Sequence, residues 1–409
     1  MLITQSLCTR LVAASFTSLL GLAILHAGQK ENAASEVQLS STFRNIEPGL
    51  KAAMLPTLFA SSHASNLVLL ANGDLLCFWF SGTAEGDSKV GIVMSRLPKG
   101  SQTWQQTMLI DNEEGKSFQN PVGFEDRSGK LWLFHSSQPA KQGQATAVVM
   151  DLWSNDHGKS WSKPEVAFSQ PGAFTRQPIV IMDDGAWLLP MFYTPTAGIS
   201  KGAETHYSVM EISSDSGKHW RECKVPDSGG LVHPDVLKVG HHSYVGFFRS
   251  RFADWIYRAT SSDGCTWSSP IKTSLPNNNA SIQVARLRNG HMVIAFNNSS
   301  GPDGPRVGKT GPRVPLSVAI SDDNGVTWTA VRDLERGEAG STGEKHFPAK
   351  ESRDEYSYPA ILQIANDNVV VAYTYRRTAI KVVEFGEDWV KGGTSIGKFN
   401  ATISSAALR

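Results

Sequence analysis

A short motif, Ser-x-Asp-x-Gly-x-x-Trp, recurs along the 409-residue chain and constrains its fold more than any other feature. Four segments are near copies of the motif, and two more are degenerate versions. The tryptophans that end these segments are Trp104, Trp161, Trp220, Trp267, Trp328 and Trp389. Their spacings are 57, 59, 47, 61 and 61 residues. Self-similarity at a period of this size indicates a repeat architecture in which each unit is one supersecondary element.

A second series of turns runs in phase with the first. Each is a turn-forming dipeptide followed by an apolar or alternating run, at residues 72–73, 128–129, 184–185, 239–240, 289–290 and 366–367. A tight turn between two such runs is typical of a β-hairpin. Each unit therefore contains four strands, which is the content of one propeller blade. The sequence predicts an all-β fold, a six-bladed β-propeller of four-stranded antiparallel blades.

The repeated motif itself is predicted to be structural. Its Ser and Asp side chains can bond the backbone of their own turn, its Gly can take a positive φ, and its Trp can pack into the blade. We therefore expect the chemistry to lie elsewhere in each unit.

The charge balance and the cysteine and histidine spacing exclude several functions. The 39 basic and 38 acidic residues give a formal net charge of +1, so nothing indicates nucleic acid or an anionic membrane as a partner. No Cys/His cluster has zinc spacing and no phosphate-binding loop occurs. We expect neither a metal nor a cofactor.

The N-terminus has the pattern of a secretory signal peptide. Arg10 precedes a mostly apolar run over residues 11–25, too short for a typical membrane span, and small residues follow it. An uncleaved anchor is the alternative. We expect a signal peptide over 1–28, a linker over 29–50, the propeller over 51–395 and a tail over 396–409, in a secreted or periplasmic monomer without a membrane anchor. At most one disulfide can form among the remaining cysteines, and Cys223–Cys265 is the expected pair.

Polar residues stand at the predicted start of the first strand of every blade. They are His63, Asn120, Gln177 beside Arg176, His233, Ser281 and Tyr358. In a propeller the first strands line the central axis, so six such residues are expected to converge in one axial pocket. A solvated strand start is the alternative for any single member.

Arginines and carboxylates form a second layer around this predicted pocket. Arg249, Arg313 and Arg377 stand at strand ends or starts, and a guanidinium binds a carboxylate with two parallel hydrogen bonds. Glu85 and Asp87 lie on the loop after the second strand of the first blade. Either carboxyl can serve as a general acid or simply anchor the turn. The expected partner is a glycan that carries an acidic sugar.

The repeated turn resembles the Asp box of sialidases, and the resemblance to BNR-repeat sialidase-like proteins extends over residues 55–390. It implies that Tyr358, in Tyr356-Ser-Tyr358-Pro, is the tyrosine nucleophile. It also implies that Arg249 and Arg313 belong to a carboxylate-binding arginine triad, and that the loop with Glu85 and Asp87 carries the acid/base residue.

Two positions depart from the family pattern. Sialidases have Arg-Ile-Pro where this chain has His63-Ala-Ser, and a glutamate where this chain has His233 before a proline. An imidazole is a competent base near neutral pH, so His233 can take the proton from Tyr358. Arg176 or Arg377 would then replace the missing arginine.

Three functions remain open from the sequence. The first is a retaining exo-glycosidase that removes a terminal acidic sugar such as sialic acid, with Tyr358 as nucleophile. The second is a polysaccharide lyase acting on uronate-containing glycans, in which His63 or His233 neutralises the carboxylate or abstracts a proton and Tyr358 serves as acid/base. The third is a glycan-binding propeller without catalysis.

Overall fold

The computed structural model describes residues 39–195, 202–301, 310–337, 354–399 and 401. The predicted signal peptide over 1–28 lies outside the described residues. Within these ranges, no helix is long and apolar enough to cross a membrane. The regular secondary structure of the described chain is mostly β-strand, arranged in six antiparallel sheets.

The first three blades follow a pair of N-terminal strands. That pair consists of β1 (Arg44–Glu47) and β2 (Leu50–Met54). Blade one contains β3 (Ser61–Leu69), β4 (Leu75–Gly82), β5 (Gly91–Leu97) and β6 (Met108–Asp111). Blade two contains β7 (Lys116–Glu125), β8 (Leu131–Pro139), β9 (Val148–Ser154) and β10 (Glu165–Phe168). Blade three has a divided first strand and contains β11 (Ala173–Thr175), β12 (Val180–Ile181), β13 (Trp187–Tyr193), β14 (Tyr207–Ser213) and β15 (Arg221–Lys224).

The last three blades complete the ring. Blade four contains β16 (Leu231–Gly240), β17 (Ser243–Ser250), β18 (Trp255–Ser261) and β19 (Ile271–Pro276). Blade five contains β20 (Gln283–Arg286), β21 (Met292–Asn297), β22 (Leu316–Ser321) and β23 (Ala330–Glu335). Blade six contains β24 (Tyr356–Gln363), β25 (Val369–Tyr375) and β26 (Ala379–Phe385), together with the N-terminal pair β1 and β2. The helical segments are Gln144–Thr146, Ala203–Thr205 and α1 (Glu387–Lys391).

The core lies between the blades rather than inside any one of them. Strand β13 is buried along its whole length, as is β21, because a blade is covered on both faces by its neighbours. The buried clusters therefore join adjacent blades: Phe124 of blade two packs edge-on against Trp187 of blade three. The first strands of successive blades touch one another around the ring, which places them at the axis. The predicted six-bladed propeller is confirmed.

Blade six is closed by the N-terminal strands. Strand β2 pairs with β26, with Ala53 opposite Val382, and β1 pairs with β2 at the outer edge. The expected linker over 29–50 thus ends in a strand of the last blade. The degenerate motif ending at Trp389 does not lead into an outer strand, because α1 stands there.

The C-terminal segment, which includes part of the predicted tail, also packs against the propeller. Phe399, placed in the predicted tail, is buried in the cluster shared by blades four and five. Asn298 anchors this segment, since its side chain bonds both the N–H and the C=O of Phe399.

The repeated turns act as predicted for structural elements. In the turn of blade five, Asp323 accepts hydrogen bonds from the backbone N–H groups of Val326 and Thr327, and Gly325 has a φ of 76°. The expected disulfide is confirmed: Cys223 of β15 is bonded to Cys265 in the turn of blade four. These turns follow the third strands, so they lie at the opposite end of the blades from the starts of the first strands.

Candidate active site

Backbone bulges aim the axial side chains. In blades one, two, four and six the first strand carries a two-residue bulge against the second strand. The first residue of each bulge has a positive φ, at Ala64 (60°), Asn120 (50°), His233 (53°) and Tyr358 (52°). Such left-handed residues cost about 1–3 kcal/mol each and cluster at functional sites. His63 lies one residue before the equivalent position, which corrects its predicted place in the ring.

Tyr358 is the centre of the site. Arg249 Nη1 donates a hydrogen bond to Tyr358 Oη at 2.6 Å, and the guanidinium carbons of Arg249 and Arg313 lie 5.5 and 5.3 Å from the ring centre. Burial raises the pKa of Tyr358, but Arg249 and Arg313 outweigh burial, so the pKa lies below its ordinary value. The arginines thus favour the phenolate, which is the nucleophilic form of a tyrosine.

Two neutral histidines flank Tyr358. The ring centre of His63 lies 4.1 Å from that of Tyr358, and the ring centre of His233 lies 5.7 Å from it. Burial and the surrounding arginines lower the pKa of both imidazoles well below 6.5. His63 Nδ1 bonds Thr374 Oγ1 at 2.7 Å, and among the described residues its Nε2 has no partner.

Arg249, rather than His233, contacts the Tyr358 hydroxyl. The 3.3 Å contact joins Arg249 Nη1 to His233 Nε2. Because arginine can only donate, Nε2 accepts and the ring proton sits on Nδ1. The structure therefore gives Tyr358 an arginine neighbour where the sequence analysis expected a base.

A chain of alternating charges near Tyr358 runs from Arg313 to Glu85. Arg313 Nη1 and Arg377 Nε both donate to Glu355 Oε1, and Arg377 Nη1 donates to Glu85 Oε2 at 2.7 Å. Burial raises the pKa of Glu355, but the two arginines outweigh it and hold the pKa at about 2. Glu355 is not among the residues predicted from the sequence, although its position three residues before Tyr358 was a usable signal.

The structure separates the two candidate acids. Glu85 is tied to Tyr358's surroundings through Arg377. Asp87 Oδ2 accepts from Thr83 Oγ1 within its own loop at 3.1 Å, as expected for a turn anchor. Glu85 is therefore the better-placed acid.

Arg176 is a structural clamp at the axis. It is 1% exposed and donates to Ser281 Oγ and to the carbonyl oxygens of Ser65, Tyr358 and Pro359, at 2.8–3.1 Å. These bonds tie blade three to blades one, five and six and hold the left-handed Tyr358 backbone. Arg176 is thus occupied by the protein rather than free to replace a triad arginine.

Gln177 and Asn120 also serve the scaffold. Gln177 Nε2 donates to the carbonyl oxygen of Ile282 at 2.6 Å, and Gln177 Oε1 accepts from Gln283 Nε2 at 2.9 Å. Asn120 is 6% exposed at its bulge, and its carbonyl oxygen accepts from Thr175 Oγ1. Gln177 thus joins blade three to blade five across the axis, and Asn120 joins blade two to blade three.

Arg251 is a second residue that the sequence analysis missed. It follows β17 two residues after Arg249 and is 1% exposed, and within the described ranges it makes one long hydrogen bond, from Nη2 to Gln144 Oε1 at 3.4 Å. Burial lowers its pKa to about 9. The Arg249-Ser-Arg251 spacing was the available signal, because alternate residues at a strand end point to the same side.

The comparisons with known proteins agree with the fold. A family model described as "BNR repeat-like domain" matches residues 73–371. The chain is similar to the Hadza microbial sialidase Hz136, at a TM-score of 0.65 and 16% identity over 83% of this chain and 69% of that one. It is similar to a leech intramolecular trans-sialidase, at a TM-score of 0.64 and 13% identity over 82% and 69%. A Dyadobacter fermentans protein of unknown function gives a TM-score of 0.63 at 16% identity over 83% and 100%. No curated protein matches significantly.

Proposed function

The chain belongs to the BNR repeat-like domain family, and from this premise we propose that it is a secreted, retaining exo-glycosidase that removes a terminal acidic sugar from glycans. The hydrogen bond from Arg249 to the Tyr358 hydroxyl carries the proposal. A tyrosine at the axis that is favoured as phenolate by arginines suits nucleophilic attack better than it suits packing.

The proposed reaction has two steps. Tyr358 Oη attacks the anomeric carbon while protonated Glu85 gives its proton to the departing glycosidic oxygen, which leaves a glycosyl–tyrosine bond. Glu85 then takes a proton from water, the water oxygen attacks the same carbon, and the tyrosine leaves. The first step requires the proton on Glu85 Oε1, because Glu85 Oε2 accepts from Arg377 Nη1.

The charge of the pocket favours an acidic sugar. Among the described residues, five arginines surround Tyr358, namely Arg176, Arg249, Arg251, Arg313 and Arg377, and the carboxylates of Glu85 and Glu355 pair with two of them. This excess of positive charge in a poorly hydrated site attracts a sugar carboxylate and pairs with it.

A lyase is the second candidate, because a neutral histidine stands beside Tyr358. The Nε2 atom of His63 is buried and has no partner in the described part of the chain. A neutral imidazole can abstract the proton next to a uronate carboxylate, with Tyr358 as the acid. This reaction gives an unsaturated sugar that absorbs in the near ultraviolet.

Hydrolysis of an aryl sialoside and a panel of aryl uronides tests the proposal. We expect wild type to release the aryl group and Tyr358→Phe to lose about a thousandfold or more of kcat, because the nucleophile is removed. Tyr257→Phe is the matched control: this half-buried tyrosine bonds Asp254 outside the pocket.

The possible results separate the three functions. Equal release by wild type and Tyr358→Phe would contradict a tyrosine nucleophile. Ultraviolet absorbance on polyuronates without aryl release would establish the lyase. Binding of acidic sugars without any product would establish a glycan-binding propeller.

A further inference from the structure

Apart from Arg176, which is bonded to backbone carbonyl oxygens, the arginines around Tyr358 form two pairs with different partners. Arg313 and Arg377 are paired with the carboxylates of Glu355 and Glu85. Arg249 and Arg251 make no ion pair with a carboxylate in the described ranges. Arg249 instead bonds Tyr358, His233 and Asn279. The uncompensated positive charge therefore lies on the blade-four side.

Arg251 is the less satisfied member of that pair. Its Nε has no hydrogen-bond partner within the described chain, and its one bond, to Gln144, is 3.4 Å long. Gln144 belongs to the short helical segment between β8 and β9, and its side chain is partly exposed. A buried guanidinium with five donors and no anion is costly, so the site is complementary to an anion that it does not supply.

A second unsatisfied group lies within electrostatic reach of Arg251. His233 Nδ1 is buried without a partner among the described residues, and Arg251 is one of the charges that lower the pKa of His233. The proton on His233 Nδ1 makes this atom a donor. Arg249, Arg251 and His233, all of blade four, thus present several donors near Tyr358, and Tyr358 and Glu85 are acidic groups that raise the pKa of both arginines.

We propose that Arg251, together with Arg249, binds the carboxylate of the acidic sugar on the blade-four side of the pocket, and that Arg313 and Arg377 stay paired with Glu355 and Glu85. The proposal rests on the proposed function for the class of substrate. Sialidases have an arginine at the position of His63. The proposal assigns carboxylate recognition to Arg251, which stands at a different position. When a carboxylate reaches Arg251, the long hydrogen bond from Arg251 to Gln144 is replaced by a charge-assisted hydrogen bond to the carboxylate.

Binding to simple sugar acids tests this assignment without requiring turnover. The probes are N-acetylneuraminate and glucuronate, each compared with its methyl ester by calorimetry at pH 7. We expect wild type to bind one acid at least about tenfold more tightly than its ester, since a charge-assisted pair is lost in the ester. In Arg251→Gln this preference should disappear through weaker binding of the acid, with the ester unchanged.

Further variants test whether the charge of Arg251, its planar donors or the loss of any arginine explains the change in binding. Arg251→Lys keeps the charge but not the planar donors, so we expect an intermediate preference. Gln144→Ala leaves the core intact and removes the competing acceptor, so binding of the acid should be kept or tightened. Arg286→Gln removes an exposed arginine and is the matched control.

The results distinguish this inference from the proposed function. An acid preference that survives in Arg251→Gln, or wild type that binds acid and ester alike or neither, overturns the inference, even if aryl sugars are hydrolysed. Loss of the preference in Arg251→Gln supports it, even if no donor is hydrolysed.

Discussion

At the residue scale, the site depends on buried groups whose charge is set by their neighbours. Tyr358 has a left-handed backbone, which a bulky side chain rarely adopts, and Arg176 holds that backbone through the carbonyl oxygens of Tyr358 and Pro359. Burial lowers the pKa of His63 and His233, and the arginines that favour a Tyr358 phenolate lower it further. The same arginines therefore influence the charge of Tyr358 and of both histidines.

The neutral histidines make stability depend on pH. The pKa of His63 is lowered by burial and then by Arg377, Arg313, Arg176 and Arg249. Below about pH 6.5 the unfolded chain binds a proton at this imidazole and the folded chain does not, so the free energy of unfolding falls as pH falls. The slope is up to about 1.4 kcal/mol per pH unit for each such histidine.

Urea unfolding at several pH values between 7.5 and 5.5 checks this prediction. We expect the free energy of unfolding of His63→Gln to depend less steeply on pH than that of wild type. His241→Gln, which removes an exposed imidazole, controls for the loss of a histidine as such. Equal slopes for wild type and His63→Gln would show that His63 is charged in the folded protein.

At the element scale, each repeated turn is a self-contained set of hydrogen bonds. In blade five, Ser321 Oγ accepts from the Gly325 N–H and donates to Asp323, which also accepts from Thr327. A Cβ on Gly325 would lie 2.3 Å from the Phe247 ring of blade four. The turn is therefore held by its own hydrogen bonds and also packs against the neighbouring blade.

Asp323→Ala tests the structural role of the turn. The variant leaves backbone N–H groups of the turn without their acceptor, so we expect the free energy of unfolding to fall by about 1–3 kcal/mol. Asp322→Ala, at the exposed neighbouring position, should leave it nearly unchanged. Urea unfolding of both variants measures the difference, and equal losses would argue against the predicted role of Asp323.

At the scale of the whole molecule, the ring is closed by strands from opposite ends of the described chain. Strand β2 lies between β26 and β1, and Ala52 and Ala53 are fully buried. Leu55 N–H donates to the Ile380 carbonyl, so alternate N–H groups of β2, including that of Ala53, face β26. Folding of blade six therefore requires both ends of the propeller.

Proline substitutions test this closure. Ala53→Pro removes a ladder hydrogen bond on the β26 side and should lower the free energy of unfolding by at least about 1–3 kcal/mol. Asn45→Pro is the control, because Asn45 is exposed on the edge strand β1 and its N–H faces away from β2. Comparable losses for the two variants in urea unfolding would contradict a closing role for β2.

The sequence by itself determined the number and type of the repeated units. The turns are specified by side chains that bond a backbone within four residues, so their pattern can be read without knowing any distant contact. The same local patterns predicted that Tyr358 stands at the start of a strand and Arg249 at the end of one. The six four-stranded blades followed from the period of the repeat, and Cys223–Cys265 was one of three pairs open to the cysteines that follow the predicted signal peptide.

The tertiary structure alone decided which of these polar residues act together. The contacts of Arg176 with Tyr358 and of Arg377 with Glu85 span 182 and 292 positions of sequence. The pairing of β2 with β26 likewise joins distant segments. No local pattern specifies how far a side chain reaches across a ring, or which carboxylate satisfies which arginine. The shift from His63 to Ala64 and the unsatisfied Arg251 arise from bulges and burial, which exist only after the blades have packed.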